Sequence, residues 1–383
     1  MIPYGRHNLD ESEILAVTEV LTSDWLTQGP RISEFEQALA STVQANHAVA
    51  LANGTAALHV ACMALGVKKG DRVWTSPLSF VASANCALYC GATVDFIDID
   101  PDTRNMSIDE LRAKLHSAAD SKTLPKVLVV VHFAGACCDM QAIYELAQSF
   151  QVKVIEDAAH ALGSVYQQQP VGAGVFSDLT CFSFHPVKNM AMGEGGAICT
   201  NNDALALKVR ELITHGVVRD AERFSDTSHA AWYYEQQTLG YNYRITDIQC
   251  ALGLAQLKKL PHFVERRRHL VEVYEQSFTN LPLILPSELP SSLSAWHIYV
   301  IELPETIDRD TLYQYLYTKG IACTVHYMPI HMHPFYQSLG FHSGDFPYSE
   351  AYFKRALTLP LFPGLTEQEQ TYVIANVKKG LGV

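Results

Sequence analysis

Apolar residues follow two rhythms along the first part of the chain. Short apolar runs at 47–52, 72–76, 93–97, 127–131 and 152–156 have the length and composition of buried β-strands. Between them, apolar residues recur every three or four positions, which is the spacing of an amphipathic helix. This regular alternation of strands and helices predicts an α/β fold with a large, doubly wound, mostly parallel sheet.

The N-terminal segment carries its own helix signals. Apolar residues at helical spacing predict a helix over 11–21, and Asp10 stands where an N-cap belongs. Ser33 and Glu36 have the spacing of a capping box, so we expect a second helix to begin there. Residues 215–239 are polar and aromatic without periodicity, and they predict a long surface loop.

The last third of the chain predicts a second, smaller unit. A long helix is expected from 247 to about 259, followed by a charged helix from 264. We interpret its arginine triplet, 266–268, as a solvated helix face. Further elements are expected as strands at 296–303 and 322–325 and as helices at 309–319, 349–357 and 367–379. We therefore predict a large domain over residues 1–250, including an N-terminal substrate-loop segment, and a small C-terminal α+β domain over 251–383.

Charge and cysteine usage narrow the possible functions. The 383 residues carry a formal net charge of −12, whereas proteins that bind nucleic acid or anionic membranes present a basic face. No apolar run is long enough for a membrane span, and no leader pattern opens the chain. The nine cysteines are scattered through apolar runs, which is typical of reduced core thiols. We therefore expect a cytoplasmic protein that binds neither nucleic acid nor membrane.

Two groups of residues raise the possibility of a metal site. Cys137 and Cys138 are adjacent, but no second cysteine pair accompanies them. His326, His331 and His333 cluster in a proline-containing segment that has no acidic ligand nearby. We expect this histidine segment to be a loop that lines a substrate site, and we predict no metal.

One lysine lies between two predicted strands. The run 180–200 begins as a short apolar strand, presents Lys188 after a proline, and turns through Gly193-Glu-Gly-Gly196 into a second strand. Partial burial there would lower the pKa of the amine and leave it neutral enough to attack a carbonyl. Asp157 ends the apolar strand upstream, where ligand-binding groups collect in α/β sheets. The alternative, an ordinary loop lysine, stays open at this point.

Two further positions follow strand ends. Thr55 and Ala56 lie in a small-residue turn that opens a helix, where backbone N–H groups and the helix dipole attract anions. A tight strand–helix turn without a ligand is the alternative. Phe80 follows the next strand and could stack on a flat ring or pack in the core.

These motifs resemble the DegT/DnrJ/EryC1/StrS family of sugar aminotransferases. The resemblance rests on Asp157-Ala-Ala-His160, Ser183-Phe-His-Pro-Val-Lys188-Asn and Gly193-Glu-Gly-Gly196, and it extends from residue 2 nearly to the C-terminus. It implies a fold-type I enzyme that uses pyridoxal 5′-phosphate. One branch of the family carries histidine at the lysine position and performs a dehydration, so Lys188 implies transamination.

The resemblance also implies roles for single residues. It implies that Lys188 and Asp157 are catalytic residues. The lysine would form a Schiff base with the cofactor and move a proton, and the aspartate would keep the ring nitrogen protonated. His160 becomes a contact of the ring, although a strand-end core histidine is its alternative. The family forms homodimers with shared active sites, and Asn242 is implied to come from the second copy. The implied cofactor-binding set is Thr55, Ala56, Phe80, Asp157, His160, Ser183, Lys188 and Asn242.

Four other segments resemble a particular branch of the family. Segments 2–6, 23–30, 240–247 and 326–331 resemble enzymes that aminate C4 of a UDP-linked 4-keto-6-deoxy-N-acetyl sugar in pseudaminic acid biosynthesis, with L-glutamate as the amino donor. The implied substrate-binding residues are Tyr4, Thr27, Gln28, His326 and Tyr327. Two alternatives remain: another keto sugar nucleotide, dTDP-linked or with its keto group at C3, and a non-enzymatic regulator built on the same fold.

Overall fold

The computed structural model describes residues 1–226 and 230–382. Its α-helices are α1 (Glu11–Leu21), α2 (Pro30–Val43), α3 (Gly54–Ala64), α4 (Ala82–Tyr89), α5 (Ile108–Asp120), α6 (Met140–Ser149), α7 (Asp203–Leu212), α8 (Asp247–Phe278), α9 (Arg309–Thr318), α10 (Pro334–Gln337), α11 (Pro347–Arg355) and α12 (Glu367–Gly380). Its strands are β1 (His47–Leu51), β2 (Arg72–Thr75), β3 (Thr93–Phe96), β4 (Val127–Val131), β5 (Lys153–Asp157), β6 (Val165–Tyr166), β7 (Gln169–Pro170), β8 (Leu179–Ser183), β9 (Gly196–Thr200), β10 (Val217–Val218), β11 (Glu235–Gln236), β12 (Ser292–Leu293), β13 (Tyr299–Glu302) and β14 (Ala356–Leu359).

A seven-stranded sheet in the order β1-β9-β8-β5-β4-β2-β3 forms the centre of the molecule. The pairs from β3 through β2, β4 and β5 to β8 are all parallel, and β9 runs antiparallel between β8 and β1. Every residue of β4 is buried, which is expected of a Val/Leu strand covered on both faces. The predicted doubly wound, mostly parallel fold is confirmed.

Helices cover both faces of this sheet because its strands are apolar on both sides. On one face, side chains of α2, α5, α6 and α8 form a core with alternate residues such as Leu128 and Val130. On the other face, α3, α4 and α7 pack against Val127 and Val129. Parallel strands end at one edge of such a sheet, so loops after β4, β5 and β8 meet there.

The start of α2 differs from the prediction. The helix begins at Pro30, and Ser33 lies inside it with its hydroxyl bonded to the Pro30 carbonyl. The predicted capping box at Ser33 and Glu36 is therefore wrong. The cap comes from far along the chain, because the buried Asp247 carboxylate accepts the Gly29 and Arg31 N–H groups at 2.7 and 2.9 Å. The predicted helix α1 and its Asp10 cap are confirmed.

One helix replaces the two predicted on either side of residue 260. Helix α8 runs for 32 residues through Pro261, and the chain remains helical although this proline supplies no N–H. The interpretation of residues 266–268 as a solvated face is also wrong. Arg267 is 1 % exposed and its guanidinium donates to the carbonyls of Trp296, His297 and Leu361 at 3.0–3.2 Å.

The C-terminal region has a core of its own. Side chains from the second half of α8, β13, β14, α9 and α12 pack together there. The strand predicted at 322–325 is only an isolated bridge between Thr324 and Thr358, and the helix predicted to reach 357 ends at Arg355, where β14 begins. Helix α8 crosses the predicted boundary at 250/251, and the division into two domains stays a prediction.

The described residues contain neither a membrane-spanning helix nor a metal-binding cluster. Within residues 1–226 and 230–382, no helix is long and apolar enough to cross a membrane. Over the same residues, no group of three or more His, Cys, Asp or Glu side chains is arranged to hold a metal ion. The predicted surface loop at 215–239 contains the short pair β10–β11, and its residues 227–229 lie outside the described part of the chain.

Candidate active site

A cavity of about 670 Å³ opens where β4, β5 and β8 end and α3 begins. This is the sheet edge at which α/β proteins gather ligand-binding groups. Ten of the predicted site residues line it, together with Ser79, Ser83, Glu194, Tyr243 and His297. The ten are Tyr4, Thr55, Ala56, Phe80, Asp157, His160, Ser183, Lys188, His326 and Tyr327.

Three predicted site residues do not line this cavity. Thr27, Gln28 and Asn242 are all exposed on the described surface instead. Thr27 forms a bridge with Thr246, just before α8, and Asn242 lies four residues earlier in the same segment. None of the three lines the cavity of its own chain, although Tyr243, the neighbour of Asn242, does.

Lys188 is half-buried between β8 and β9, with its backbone N–H bonded to the His185 carbonyl at 2.8 Å. Burial lowers the pKa of the Lys188 amine to about 8, although the nearby Asp157 charge opposes this shift. An ordinary lysine is almost fully protonated at neutral pH. At pH 7 roughly a tenth of Lys188 is therefore neutral and able to attack a carbonyl, far more than of an ordinary lysine.

Asp157 is buried at the end of β5, and both of its carboxylate oxygens accept hydrogen bonds. The Ser83 hydroxyl donates to Oδ2 at 2.6 Å, and the Ala159 backbone N–H donates to Oδ1 at 3.2 Å. These two bonds come from different elements and fix the plane of the carboxylate. Such a carboxylate is able to hold a proton on a nitrogen that faces it.

The first turn of α3 forms one wall of the cavity. Asn53 is its N-cap and accepts the Ala56 N–H at 2.8 Å. A Cβ atom on Gly54 would lie 2.7 Å from the Ser183 Cβ, so glycine permits β8 to approach the helix start. The helix dipole and the Thr55 and Ser183 hydroxyls converge here, and this combination suits a phosphate.

Two histidine rings lie deep in the cavity. The rings of His160 and His297 are 4.4 Å apart, and His160 Nε2 lies 3.1 Å from the Tyr327 hydroxyl. Burial holds the pKa of both histidines well below its ordinary value, and the Lys188 charge adds to this shift. Nδ1 of each ring lacks a hydrogen-bond partner among the described residues. Both rings are neutral at pH 7, and each has spare hydrogen-bonding capacity.

Tyr4 and His326 form the opposite wall, with ring centroids 5.3 Å apart. His326 Nδ1 lies 2.9 Å from the Thr358 hydroxyl, and burial together with the Lys188 charge lowers the pKa of this histidine to about 3. A neutral imidazole and a phenol form polar contacts with hydroxyl and amide groups without adding net charge. This wall suits a sugar.

The sequence patterns missed several residues of the site. Ser83 follows Ser79 by four positions, the spacing of one helical turn, but nothing in the pattern linked either residue to Asp157. His297 lies inside a predicted strand and carried no signal of its own. Its position depends on the fold, because Arg267 holds the backbone carbonyl of His297 from α8 at 3.0 Å.

The residues present fit pyridoxal 5′-phosphate. The cavity offers a partly neutral amine, a fixed buried carboxylate, a helix N-terminus with two hydroxyls, and the exposed ring of Phe80 at 58 %. These correspond to the aldehyde, ring nitrogen, phosphate and ring face of that cofactor.

Comparison with known proteins agrees with this chemistry. The sequence profile of the DegT/DnrJ/EryC1/StrS aminotransferase family matches residues 7–378. The spore coat polysaccharide biosynthesis protein SpsC of Bacillus subtilis is 41% identical over 384 residues, with 98% of this chain and 96% of SpsC covered.

Solved structures of sugar aminotransferases share the whole fold. A putative sugar aminotransferase, Spr1654 from Streptococcus pneumoniae in its PMP form, aligns with a TM-score of 0.90 at 30% identity, covering 100% of this chain and 99% of the other. Helicobacter pylori PseC, an aminotransferase involved in the biosynthesis of pseudoaminic acid, aligns with the same TM-score of 0.90, identity of 30% and coverage of 100% and 99%.

The lowered pKa of Lys188 predicts unusual reactivity. In cofactor-free protein, reductive methylation of Lys188 should be half-maximal near pH 8, because the neutral amine is the nucleophile and its pKa is about 8. Mass spectrometry of the Lys188 peptide measures the methylation rate at each pH. Nα-acetyl-lysine, whose side-chain amine is free, serves as the reference in the same tube. A half-maximal rate near pH 10.5, the ordinary value, would mean that water solvates this amine freely.

Proposed function

The chain belongs to the DegT/DnrJ/EryC1/StrS aminotransferase family and is a pyridoxal-phosphate-dependent sugar aminotransferase, and we propose that it aminates C4 of a UDP-linked 4-keto-6-deoxy-N-acetyl sugar. L-Glutamate is the proposed amino donor, and pseudaminic acid biosynthesis is the proposed pathway. The observation that carries the reaction type is a desolvated Lys188 amine beside a fixed Asp157 carboxylate in one cavity. The similarity to PseC supports the substrate.

Lys188 carries the chemistry of the proposed reaction. Bound pyridoxal phosphate supplies an aldehyde for amine exchange and a ring that accepts an electron pair. Lys188 Nζ would hold the cofactor at that aldehyde, and the same amine, when free, would accept and donate the proton that the reaction moves. Its pKa of about 8 suits it both to accept and to donate a proton near neutral pH.

Other residues of the chain would hold and orient the cofactor. The Asp157 carboxylate keeps a proton on the ring nitrogen, and Phe80 covers the ring face. Thr55, Ser183 and the first turn of α3, with Ala56, bind the phosphate. His160 would contact the ring, since its Nε2 faces the Tyr327 hydroxyl and its Nδ1 has no partner among the described residues.

Tyr4, His326 and Tyr327 form the proposed sugar-binding wall. A buried donor or acceptor left unpaired by a wrong sugar would cost binding energy, so this wall selects among sugars. A second keto sugar nucleotide, dTDP-linked or with its keto group at C3, remains a candidate substrate. The 41% identity to SpsC, which is named for spore coat polysaccharide biosynthesis, does not distinguish between these sugars.

We also propose a homodimer whose two sites are shared. Thr27, Gln28 and Asn242 are exposed and do not line the cavity of their own chain, and in the proposed dimer they complete the cavity of the second copy. Apolar side chains are exposed in the segment that precedes Thr27, and exposed apolar surface is typical of an interface. They are Ile14, Leu15, Leu21, Trp25 and Leu26. All nine cysteines are free, which supports a cytoplasmic location.

A panel of keto sugar nucleotides tests the substrate. The holoenzyme is incubated with ¹⁵N-glutamate and UDP- or dTDP-linked sugars that carry the keto group at C3 or C4, and product masses are recorded. We expect labelled amine only, or fastest, on the UDP-linked 4-keto-6-deoxy-N-acetyl sugar. Lys188→Ala controls for non-enzymatic amination. Faster turnover of a dTDP-linked or C3-keto sugar would reject the proposed substrate and favour the second candidate.

Mixing two inactive variants tests the shared site. Lys188→Ala and Asn242→Ala proteins are each expected to be strongly impaired, the second because a phosphate loses a donor. After subunit exchange, about half of the dimers are mixed, and each mixed dimer has one site with both defects and one intact site. Recovered activity should approach roughly a quarter of wild type. If activity stays at the sum of the parents although mass analysis confirms exchange, Asn242 does not serve the site of the second copy.

A further inference from the structure

Ser83 in α4 and Ser79, just before that helix, form a hydrogen-bonded chain to the buried carboxylate of Asp157. Ser83 Oγ donates to Asp157 Oδ2 at 2.6 Å, and Ser79 Oγ lies 2.7 Å from Ser83 Oγ. Both serines are buried, with 5 % of Ser79 and 1 % of Ser83 exposed, and both line the cavity. The proposed reaction assigns neither serine a part, although Ser83 bonds directly to Asp157, which it does use.

The direction of this hydrogen-bond chain is fixed. A serine hydroxyl has one proton, and the carboxylate of Asp157 has none to give when ionised. Ser83 therefore donates its hydroxyl proton to a hydrogen bond with Asp157, and its oxygen accepts a hydrogen bond from the Ser79 hydroxyl. Each bond polarises the next in such a chain, so Ser79 strengthens the donation from Ser83 to the carboxylate.

The carboxylate has few other constraints. Its second oxygen accepts only a longer bond, 3.2 Å, from the Ala159 N–H, two residues along the same loop. The torsions of an aspartate side chain allow broad rotation of the carboxylate when nothing fixes it. Ser83 supplies the shorter bond, and it comes from α4, which packs against β2 and β3 of the sheet.

We propose that Ser83 is a positioning residue that aims the Asp157 carboxylate at the ring nitrogen of the cofactor, with Ser79 as its support. This inference rests on the proposed role of Asp157. Ser83 does not need to touch substrate or cofactor, because it acts through the orientation of one carboxylate. A misplaced carboxylate would share the ring proton less well, and the ring would then accept electrons less readily.

Loss of the Ser83 hydroxyl has a spectroscopic consequence. A protonated ring nitrogen withdraws electrons from the nitrogen that joins Lys188 to the cofactor and makes that nitrogen less basic. In Ser83→Ala, the pH midpoint of the visible absorbance change of bound cofactor should therefore move upward, in the same direction as in Asp157→Asn and by less. A role of Ser83 in general stability would leave this midpoint unchanged.

The kinetic consequence is expected in kcat. Ser83→Ala should lower kcat about tenfold, which corresponds to roughly 1.4 kcal/mol, and should change KM for the sugar nucleotide less than about twofold. Ser83→Thr keeps a hydroxyl and should restore most of both the rate and the midpoint. If Ser83→Ala does not fold, Ser79→Ala removes the supporting donor without touching Asp157, and it should shift both quantities in the same direction by a smaller amount.

The chain offers a matched control in Ser349. Its hydroxyl also donates to a buried aspartate at 2.6 Å, but the aspartate is Asp98 and neither residue lines the cavity. Ser349→Ala removes an equivalent serine–aspartate bond, so it should cost stability without moving the midpoint or lowering kcat. Equal shifts in Ser349→Ala and Ser83→Ala would overturn the inference, since they would reflect a general loss of stability.

Asp157→Asn separates this inference from the proposed function. If Asp157→Asn is impaired, and adding Ser83→Ala to it causes little further loss, the two residues act as one unit and the inference stands. If Asp157→Asn is impaired but Ser83→Ala alone has wild-type kcat and midpoint, or a midpoint shifted downward, Ser83 does not position Asp157. If Asp157→Asn itself turns over normally, the role proposed for Asp157 fails, and the inference fails with it.

Discussion

The site depends on one partly buried amine, Lys188, held at the same sheet edge as one buried carboxylate, Asp157. The sheet makes this possible, because β5 and β8 are parallel neighbours whose ends deliver Asp157 and the Lys188 loop to the same edge. Desolvation lowers the pKa of the lysine, and the aspartate limits that shift by favouring the charged amine. The balance leaves the amine at a pKa of about 8, between an inert ammonium and a permanently neutral base.

The buried carboxylate of Asp157 has its own hydrogen-bonding support. A buried charge is costly unless hydrogen bonds replace the lost water, and here Ser83 and Ala159 provide them. Three parts of the fold supply the groups for the phosphate, the ring and the amine chemistry: the start of α3, Asp157 with Ser83 of α4, and the loop between β8 and β9. Each element is anchored in the central sheet or its cores, so the cavity has its shape before any ligand enters.

Much of this could be predicted from local sequence. The apolar runs predicted the parallel sheet, and strand ends followed by Asp157 and Lys188 predicted the site, because both depend on patterns a few residues long. The errors arose where distant residues decide the structure. Asp247 caps α2 although it lies more than 200 residues further along the sequence. The carbonyls that Arg267 binds also come close to it only through the fold. Ser83 and His297 were missed for the same reason.

Lys188 is proposed to hold the cofactor so that an amino acid donor is able to transfer its amino group to it. The most direct measurement is the visible absorbance of the holoenzyme on addition of L-glutamate without any sugar, with 2-oxoglutarate measured in the same sample. The account predicts that the visible band disappears and that about one 2-oxoglutarate forms per bound cofactor, since half of a transamination needs only the donor. In protein shown to contain cofactor, an unchanged band and no 2-oxoglutarate would contradict L-glutamate as the donor. The same result with every other amino acid would contradict the proposed transamination at Lys188.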